Sequence, residues 1–287
     1  MYKKRTRLIG ISIALLIVTW ACGVTSITGQ PDQTKEELFQ GVTYVREVRT
    51  EPHDMVYHVL TIDLRADGIK ALVTPGNADQ ELPVKARTTS EFLEDFEVQI
   101  AVNGDGFQPW SANPFNYFPK SGDNVAPIGF AASRGTIYQP EFGAEHTLYI
   151  YKNNKASINN EIGKVHNAIS GNRLIVDNNE PIENLSDAVL HPRTALGLDR
   201  NGRTLIIVVV DGRQAGYSEG ASLADLAEIL IDFGAWKGIN MDGGGSTTLV
   251  IQDENGNPQV LNSPIHQGIP GNERPVGNHL GIFAREN

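Results

Sequence analysis

Apolar positions alternate or run together over residues 42–48, 55–63 and 70–75, each stretch bounded by Pro, Gly or Asp, which predicts the strands of a meander. Thr88 followed three residues later by Glu91 makes a capping box ahead of Phe92, Leu93 and Phe96, predicting a short helix over Thr89–Phe96. Residues 98–102 read as a buried strand, and 128–137, 148–151 and 168–176 as further strands. Thr204–Val210 holds six consecutive aliphatics, the pattern of a strand covered on both faces. Ser222 with Asp225 caps a second helix, in which Leu223, Leu226, Leu230 and Phe233 fall at helical spacing until Gly234 stops it. Strands over 238–241, 247–252 and 280–284 complete the pattern. The expected fold is a single α+β domain, rich in sheet, with a few helices packed on twisted sheets.

Residues 108–124 do not fit a regular element. They are rich in Pro and Asn and carry Trp110, Phe115, Tyr117 and Phe118, as expected of a surface loop packed by its own rings. Composition leaves open whether that loop lines a pocket.

The N-terminus has a different character. Lys3, Lys4, Arg5 and Arg7 precede an apolar run from Leu8 to Trp20, and Ala21-Cys22-Gly23 closes it, which predicts an export signal over residues 1–21. The run is shorter than the ~20 residues that cross a bilayer comfortably. Cys22 is the only cysteine, and its place resembles a bacterial lipoprotein signal, in which that residue is lipidated after cleavage. The expected location is lipid-anchored at a bacterial membrane, with secretion or a periplasmic location as the alternative. Residues 22–40 are polar and lack a sustained period, so a flexible tether is expected there, with the folded domain over 41–287.

A single cysteine excludes an intramolecular disulfide and a cysteine-based zinc site. The net charge of -10 argues against nucleic acid, and limits any membrane contact to the N-terminal anchor. The seven histidines show no metal-ligand spacing, and no calcium or magnesium ligand loop is evident, so neither metal nor cofactor is expected. The oligomeric state is not legible.

Candidate chemistry gathers in three turns. Asn103-Gly104-Asp105-Gly106, Asp211-Gly212-Arg213 and Asp242-Gly243-Gly244-Gly245-Ser246 each end a strand with a carboxylate and a glycine. If those strands are neighbours, their ends collect carboxylates on one rim. The triple glycine is no nucleotide loop, because the Gly-x-x-x-x-Gly-Lys spacing is absent. Its run of backbone N–H groups with one hydroxyl suits an anion or a hydroxyl-rich ligand. Arg193 and Arg274 each precede a strand and supply guanidinium forks suited to phosphate. Gly216-Tyr217-Ser218-Glu219-Gly220 has the spacing of a hydrolase nucleophile elbow, but lies too far past its strand for that geometry.

Read in order, His191-Pro-Arg-Thr-Ala-Leu-Gly197, Val210-Asp-Gly-Arg213, Gly216-Tyr-Ser218, Met241-Asp-Gly-Gly-Gly-Ser-Thr247 and Arg274-Pro-Val-x-Asn278 resemble the phosphodiester glycosidase family. Ile169-Ser-Gly171 fits its middle section, whereas Asp105 interrupts a glycine pair that is common in the family. The resemblance implies hydrolysis of a sugar-1-phosphodiester to free sugar and a phosphomonoester. It implies Asp242 and Asp211 as first catalytic carboxylates, Asp105 as the third, and Arg193 and Arg213 on the phosphate. Gly243, Gly244, Gly245, Ser246 and Arg274 would then hold phosphate or hydroxyls, and Asn103, Asn278 and His279 would orient the sugar. Two other readings stay open: a glycosidase acting on exopolysaccharide or cell-wall glycan, and a non-catalytic glycan-binding surface lipoprotein.

Overall fold

The computed structural model describes residues 32–113, 115–140 and 146–287. The export signal, Cys22 and the first part of the tether lie outside the described residues.

The strand Thr204–Val210 shows how its sequence maps onto layers. Leu205, Ile207 and Val209 point into one apolar cluster, and Ile206, Val208 and Val210 into another on the opposite face. Two hydrophobic layers therefore need an unbroken aliphatic run where a half-exposed strand would alternate. The pairing around it is antiparallel, with Met55–Asp63 on one side and Arg193–Leu198 on the other. The full sheet has eight strands in the order Asp32–Phe39, Val42–Arg49, Met55–Asp63, Thr204–Val210, Arg193–Leu198, Lys237–Asn240, Arg173–Asp177, Glu180–Pro181.

A five-stranded sheet built around Ile100–Asn103, Leu249–Gln252 and His279–Phe283 faces it across the main core. A second five-stranded sheet, carrying His146–Ile150 and Asn167–Gly171, closes that core through Leu148, Ile150 and Ile169. The helix Leu223–Asp232 covers the outer face of the large sheet through Leu226, Ile229 and Leu230. The helix Thr89–Phe96 covers the outer face of the first five-stranded sheet through Phe92 and Leu93. Both helices start at reciprocal capping boxes, Thr88 with Glu91 and Ser222 with Asp225, as their sequences predict. The domain is α+β but mostly sheet, with two α-helices among the described residues.

Three expectations are corrected. Residues 128–137 are not one strand: Ala131–Ser133 and Thr136–Gln139 form a hairpin turning at Arg134 and Gly135, both at positive φ. Residues 168–176 are two strands in different sheets, Asn167–Gly171 and Arg173–Asp177, and the chain changes sheet at Asn172. The sequence carries both breaks as polar and glycine residues, Ser133-Arg134-Gly135 and Gly171-Asn172-Arg173, between the apolar runs. The tether expected over 22–40 overlaps the edge strand Asp32–Phe39, which pairs with Val42–Arg49. Its first six residues are exposed, so no apolar period marks it, and its charges suit an unprotected sheet edge.

Register places the site. Arg193 pairs with Val210 and Ala195 with Asn240, so Arg193, the Asp211 turn and the Asp242 turn meet at one end of the large sheet. In the facing sheet His279 pairs with Asn103 and Leu249 with Val102, which brings the Asp105 turn to the same end. Asp242 N donates to Gly104 O at 3.1 Å and joins the two groups.

Candidate active site

A cleft of about 290 Å³ opens over the triple glycine, lined among others by Trp110, His191, Arg193, Arg213, Asp242 and Arg274. The backbone is held closely there. Gly244 N donates to Pro192 O at 2.9 Å, and a Cβ on Gly243 would stand 2.8 Å from that same oxygen. Gly244 has φ +64, and a Cβ on it would stand 3.0 Å from an Arg213 amino group. A Cβ on Gly245 would collide with the Arg274 guanidinium. Glycines thus let two arginines lie flat on this turn.

Among the described residues, Asp242 is the one carboxylate lining the cleft. It is half-buried; Oδ1 accepts from Gly243 N at 2.9 Å and Oδ2 from Ser246 Oγ at 2.6 Å. Burial pushes its pKa above the ordinary aspartate value, against the pull of Ser246 and Arg274. Arg274 Nη1 donates to Ser246 Oγ at 3.2 Å, and its Cζ stands 5.6 Å from the centre of the Trp110 ring. Arg193 is anchored through Ala221 O at 3.1 Å and Val189 O at 3.3 Å.

None of Arg193, Arg213 and Arg274 forms an ion pair with a carboxylate among the described residues. Burial lowers the pKa of Arg193 and Arg213, and each is pressed further by a neighbour, Arg213 and Arg274 respectively. Guanidinium stays charged at neutral pH regardless. The cleft therefore holds concentrated positive charge awaiting an anion. Burial followed by Arg213 and Arg193 lowers the His191 pKa, and burial with Arg274 lowers that of His266 to about 4, so both rings are neutral at pH 7.

The other two carboxylates are turned away. Asp211 is fully buried: Oδ1 accepts from Asn262 Nδ2 at 3.0 Å and Ser263 N at 2.7 Å. Its Oδ2 accepts from Tyr217 Oη at 2.8 Å and lies 3.3 Å from His58 Nε2. Burial alone would raise its pKa, but His58, Ser263 and Tyr217 outweigh that and hold it below the usual value. Asp211 staples the Arg213 loop to the protein and does not reach the cleft. Asp105 Oδ1 accepts from Gly106 N at 2.7 Å and its Oδ2 from Gly129 N at 2.6 Å, so it clamps two loops together.

The remaining candidates divide similarly. Gly243, Gly244 and Gly245 build the cleft floor, whereas Ser246 is fully buried and donates to Asp242 Oδ2 from behind it. Asn103 is buried; Nδ2 donates to Asp242 O at 2.8 Å, while Oδ1 accepts from Thr194 Oγ1 at 2.7 Å, so it holds the Asp242 backbone, not a sugar. Asn278 accepts from Asp105 N at 2.8 Å and is fully buried. His279 is stacked on Phe92 at 4.7 Å in the core, and burial drives its pKa to about 3. Ser218 is buried too; Oγ donates to Asp211 O at 2.6 Å and accepts from Val56 N at 3.0 Å, which rules out a nucleophile elbow. Sequence reasoning missed Asn172 and Asn240, paired at 2.7 Å on the cleft wall, and Phe107 and Ile128 beside it, where Gly106 of the Asp105 turn also lies. Of the missed residues, Asn240 and Phe107 carry a signal, since one precedes the Met-Asp-Gly motif and the other follows the Asp105-Gly106 turn directly. The ring-rich loop gave Trp110 its place.

A larger depression of about 460 Å³ lies elsewhere, lined by Glu36, Glu37, Asp253, Glu254 and Glu286 with no cation among the described residues. It is the wrong sign for a phosphate.

The phosphodiester glycosidase family model matches residues 96–283, which contain every element of this cleft. The bovine N-acetylglucosamine-1-phosphodiester alpha-N-acetylglucosaminidase is 41% identical over 63 residues, which cover 22% of this chain and only 11% of that protein's length. The catalytic domain of the zebrafish enzyme of the same name, auto-inhibited by its pro-peptide, superposes with a TM-score of 0.56 at 18% identity, covering 90% of this chain and 85% of that one. An exported protein of Burkholderia pseudomallei superposes with a TM-score of 0.63 at 12% identity, covering 88% and 96%. At those identities the superpositions establish the fold alone. The family match spans more than half of the sequence and carries the motifs in order, so the chain belongs to the phosphodiester glycosidase family.

Proposed function

We propose that the protein hydrolyses a sugar-1-phosphodiester, releasing free sugar and a phosphomonoester. The observation that carries this is the cleft's charge pattern: one lining carboxylate, Asp242, beside three guanidinium groups that form no ion pair with a carboxylate among the described residues.

A phosphate leaving group has a second pKa of about 6, so it departs without the full protonation a sugar alcohol requires. As the C1–O bond breaks, its electron pair moves to the phosphate oxygen and the charge there grows toward two. Arg193 and Arg213 bind that growing charge more tightly than the ground state, which lowers the barrier. The sugar carbon gains positive character, and Asp242 faces it as nucleophile or as base for the attacking water. Water supplies the hydroxyl that ends on C1. Its proton passes to Asp242, whose burial-raised pKa suits it to hold one.

An ordinary glycosidase uses a second carboxyl as the acid for its leaving group. Asp105 and Asp211 are the sequence candidates for that part, and neither lines the cleft. This favours the phosphodiester over a polysaccharide bond. The test is incubation with an α-N-acetylglucosaminyl 1-phosphodiester, the bond in the relatives' name. Free sugar plus phosphomonoester is expected; oligosaccharide fragments from a glycan, with no phosphodiester cleaved, would overturn the proposal. On the N-terminal pattern, the proposal includes export and a lipid anchor at Cys22; unchanged membrane association of Cys22→Ala would remove the anchor.

A further inference from the structure

A second recess of about 210 Å³, lined by Gly106, Phe107, Trp110, Ile128, Asp242 and Arg274, adjoins the arginine cleft and shares with it three residues, Trp110, Asp242 and Arg274. We propose that the substrate crosses Asp242 in one direction, with the sugar ring in the Phe107–Ile128 recess and the phosphate with its further group among Arg193 and Arg213. This rests on the phosphodiester reading and adds to it an orientation and a specificity-determining residue, Ile128.

Charge sets the direction. The first recess is ringed by the cations Arg193, Arg213 and Arg274, whereas the second has ring and aliphatic walls and, among the described residues, only the shared Arg274 as a cation. A phosphate placed in the second would lose hydration against apolar walls and leave Arg193 and Arg213 uncompensated. A sugar ring has the complementary needs: an apolar face for its C–H groups, and a few polar groups to fix its angle. Asp242 and Arg274 supply those at the shared boundary, which is also where the reacting bond must lie. At ~30 Å³ per water, the recess holds roughly seven waters, room for one sugar ring.

The recess is built rather than accidental. Ile128 N donates to Gly106 O at 2.8 Å, and the Asp105 carboxylate ties Gly106 and Gly129 on either side of it. With the antiparallel pairing of Phe107 and Pro127, that clamp holds Phe107 and Ile128 at the ends of adjacent strands. Ile128 is 40% exposed, so core packing does not account for an isoleucine here. A Cβ on Gly106 would stand 3.0 Å from Ile128 Cδ1, so the two positions share the space that limits the ring.

The experiment titrates the full protein with N-acetylglucosamine and, separately, with methyl phosphate, following both by NMR without turnover. Ile128→Trp fills the recess and should weaken the sugar by at least ~10-fold with methyl phosphate unchanged; Arg213→Gln should do the reverse. Ile128→Ala adds no bulk, and by removing a wall should also weaken only the sugar. Unfolding midpoints verify that each variant is folded. Loss of methyl phosphate binding in either Ile128 variant, unchanged sugar binding in both, or no sugar binding by the wild type overturns the orientation. If the binding pattern holds while no sugar phosphodiester is hydrolysed, the orientation is supported and the proposed reaction alone fails.

Discussion

Replacing Asp242 by asparagine removes the one negative charge lining the cleft while keeping its shape. In the wild type, Oδ1 accepts from Gly243 N at 2.9 Å and Oδ2 from Ser246 Oγ at 2.6 Å. The amide oxygen must stay with the Gly243 N–H, so the new amino group meets Ser246, whose hydroxyl hydrogen has to turn away. The hydrogen bond then runs from the amide to Ser246 Oγ without the charged acceptor, which costs about 1 kcal/mol. Against this, a charge whose burial had raised its pKa disappears. Because folding raises that pKa, ionising Asp242 costs stability as pH rises through it, and the variant is free of that cost. The two effects oppose, so the unfolding midpoint should move by only a few degrees, about 1 kcal/mol at most. Turnover should fall at least ~100-fold, or ~2.7 kcal/mol of transition-state stabilisation. The assay is the initial rate of sugar release across the acid limb, with thermal unfolding alongside. Wild-type activity should decline as pH drops through the raised pKa, since a protonated carboxyl neither attacks nor accepts a proton, and the variant's residual rate should lack that limb. Turnover within about tenfold of wild type at an unchanged midpoint would refute the assignment.

Gly243→Ala puts a methyl group against Pro192 O, a backbone atom fixed by Gly244 N. It should cost about 1–3 kcal/mol and lower turnover; a normal melting curve with normal kinetics would contradict the close approach. Ser218→Ala leaves Val56 N–H without its acceptor, so about 1–3 kcal/mol of stability should be lost while turnover per folded molecule holds. A collapse of turnover in stable protein would restore the nucleophile elbow. Asp211→Asn should destabilise by about 3–5 kcal/mol at neutral pH, measured by urea unfolding. The folded pKa of Asp211 is depressed, so its contribution is present above the unfolded value of ~3.9 and lost as pH falls through the folded one. The gap between wild type and variant should therefore narrow in acid; a constant gap would assign the effect to packing.

Local chemistry alone determined a good part of this protein. Thr88 and Ser222 begin helices because their hydroxyls and the acids three residues on satisfy backbone groups within one turn, independent of the rest of the chain. The aliphatic run ending at Val210 announces two covering layers, and the Asp-Gly turns announce strand ends. The family resemblance was legible because its motifs are contiguous. Tertiary structure alone decided which carboxylate faces the cleft. The three turns look alike in sequence, but Asp211 meets donors from His58, Asn262 and Ser263, and Asp105 meets Gly129, all distant along the chain. A carboxylate surrounded by such donors is consumed by the fold, and of the three only Asp242 lines the cleft beside the arginines. His279 follows Asn278 in the motif yet is drawn under Phe92, because strand alternation sends it to the helix-covered face. Where a side chain ends up depends on register and on partners tens of residues away, and neither is written in its own neighbourhood.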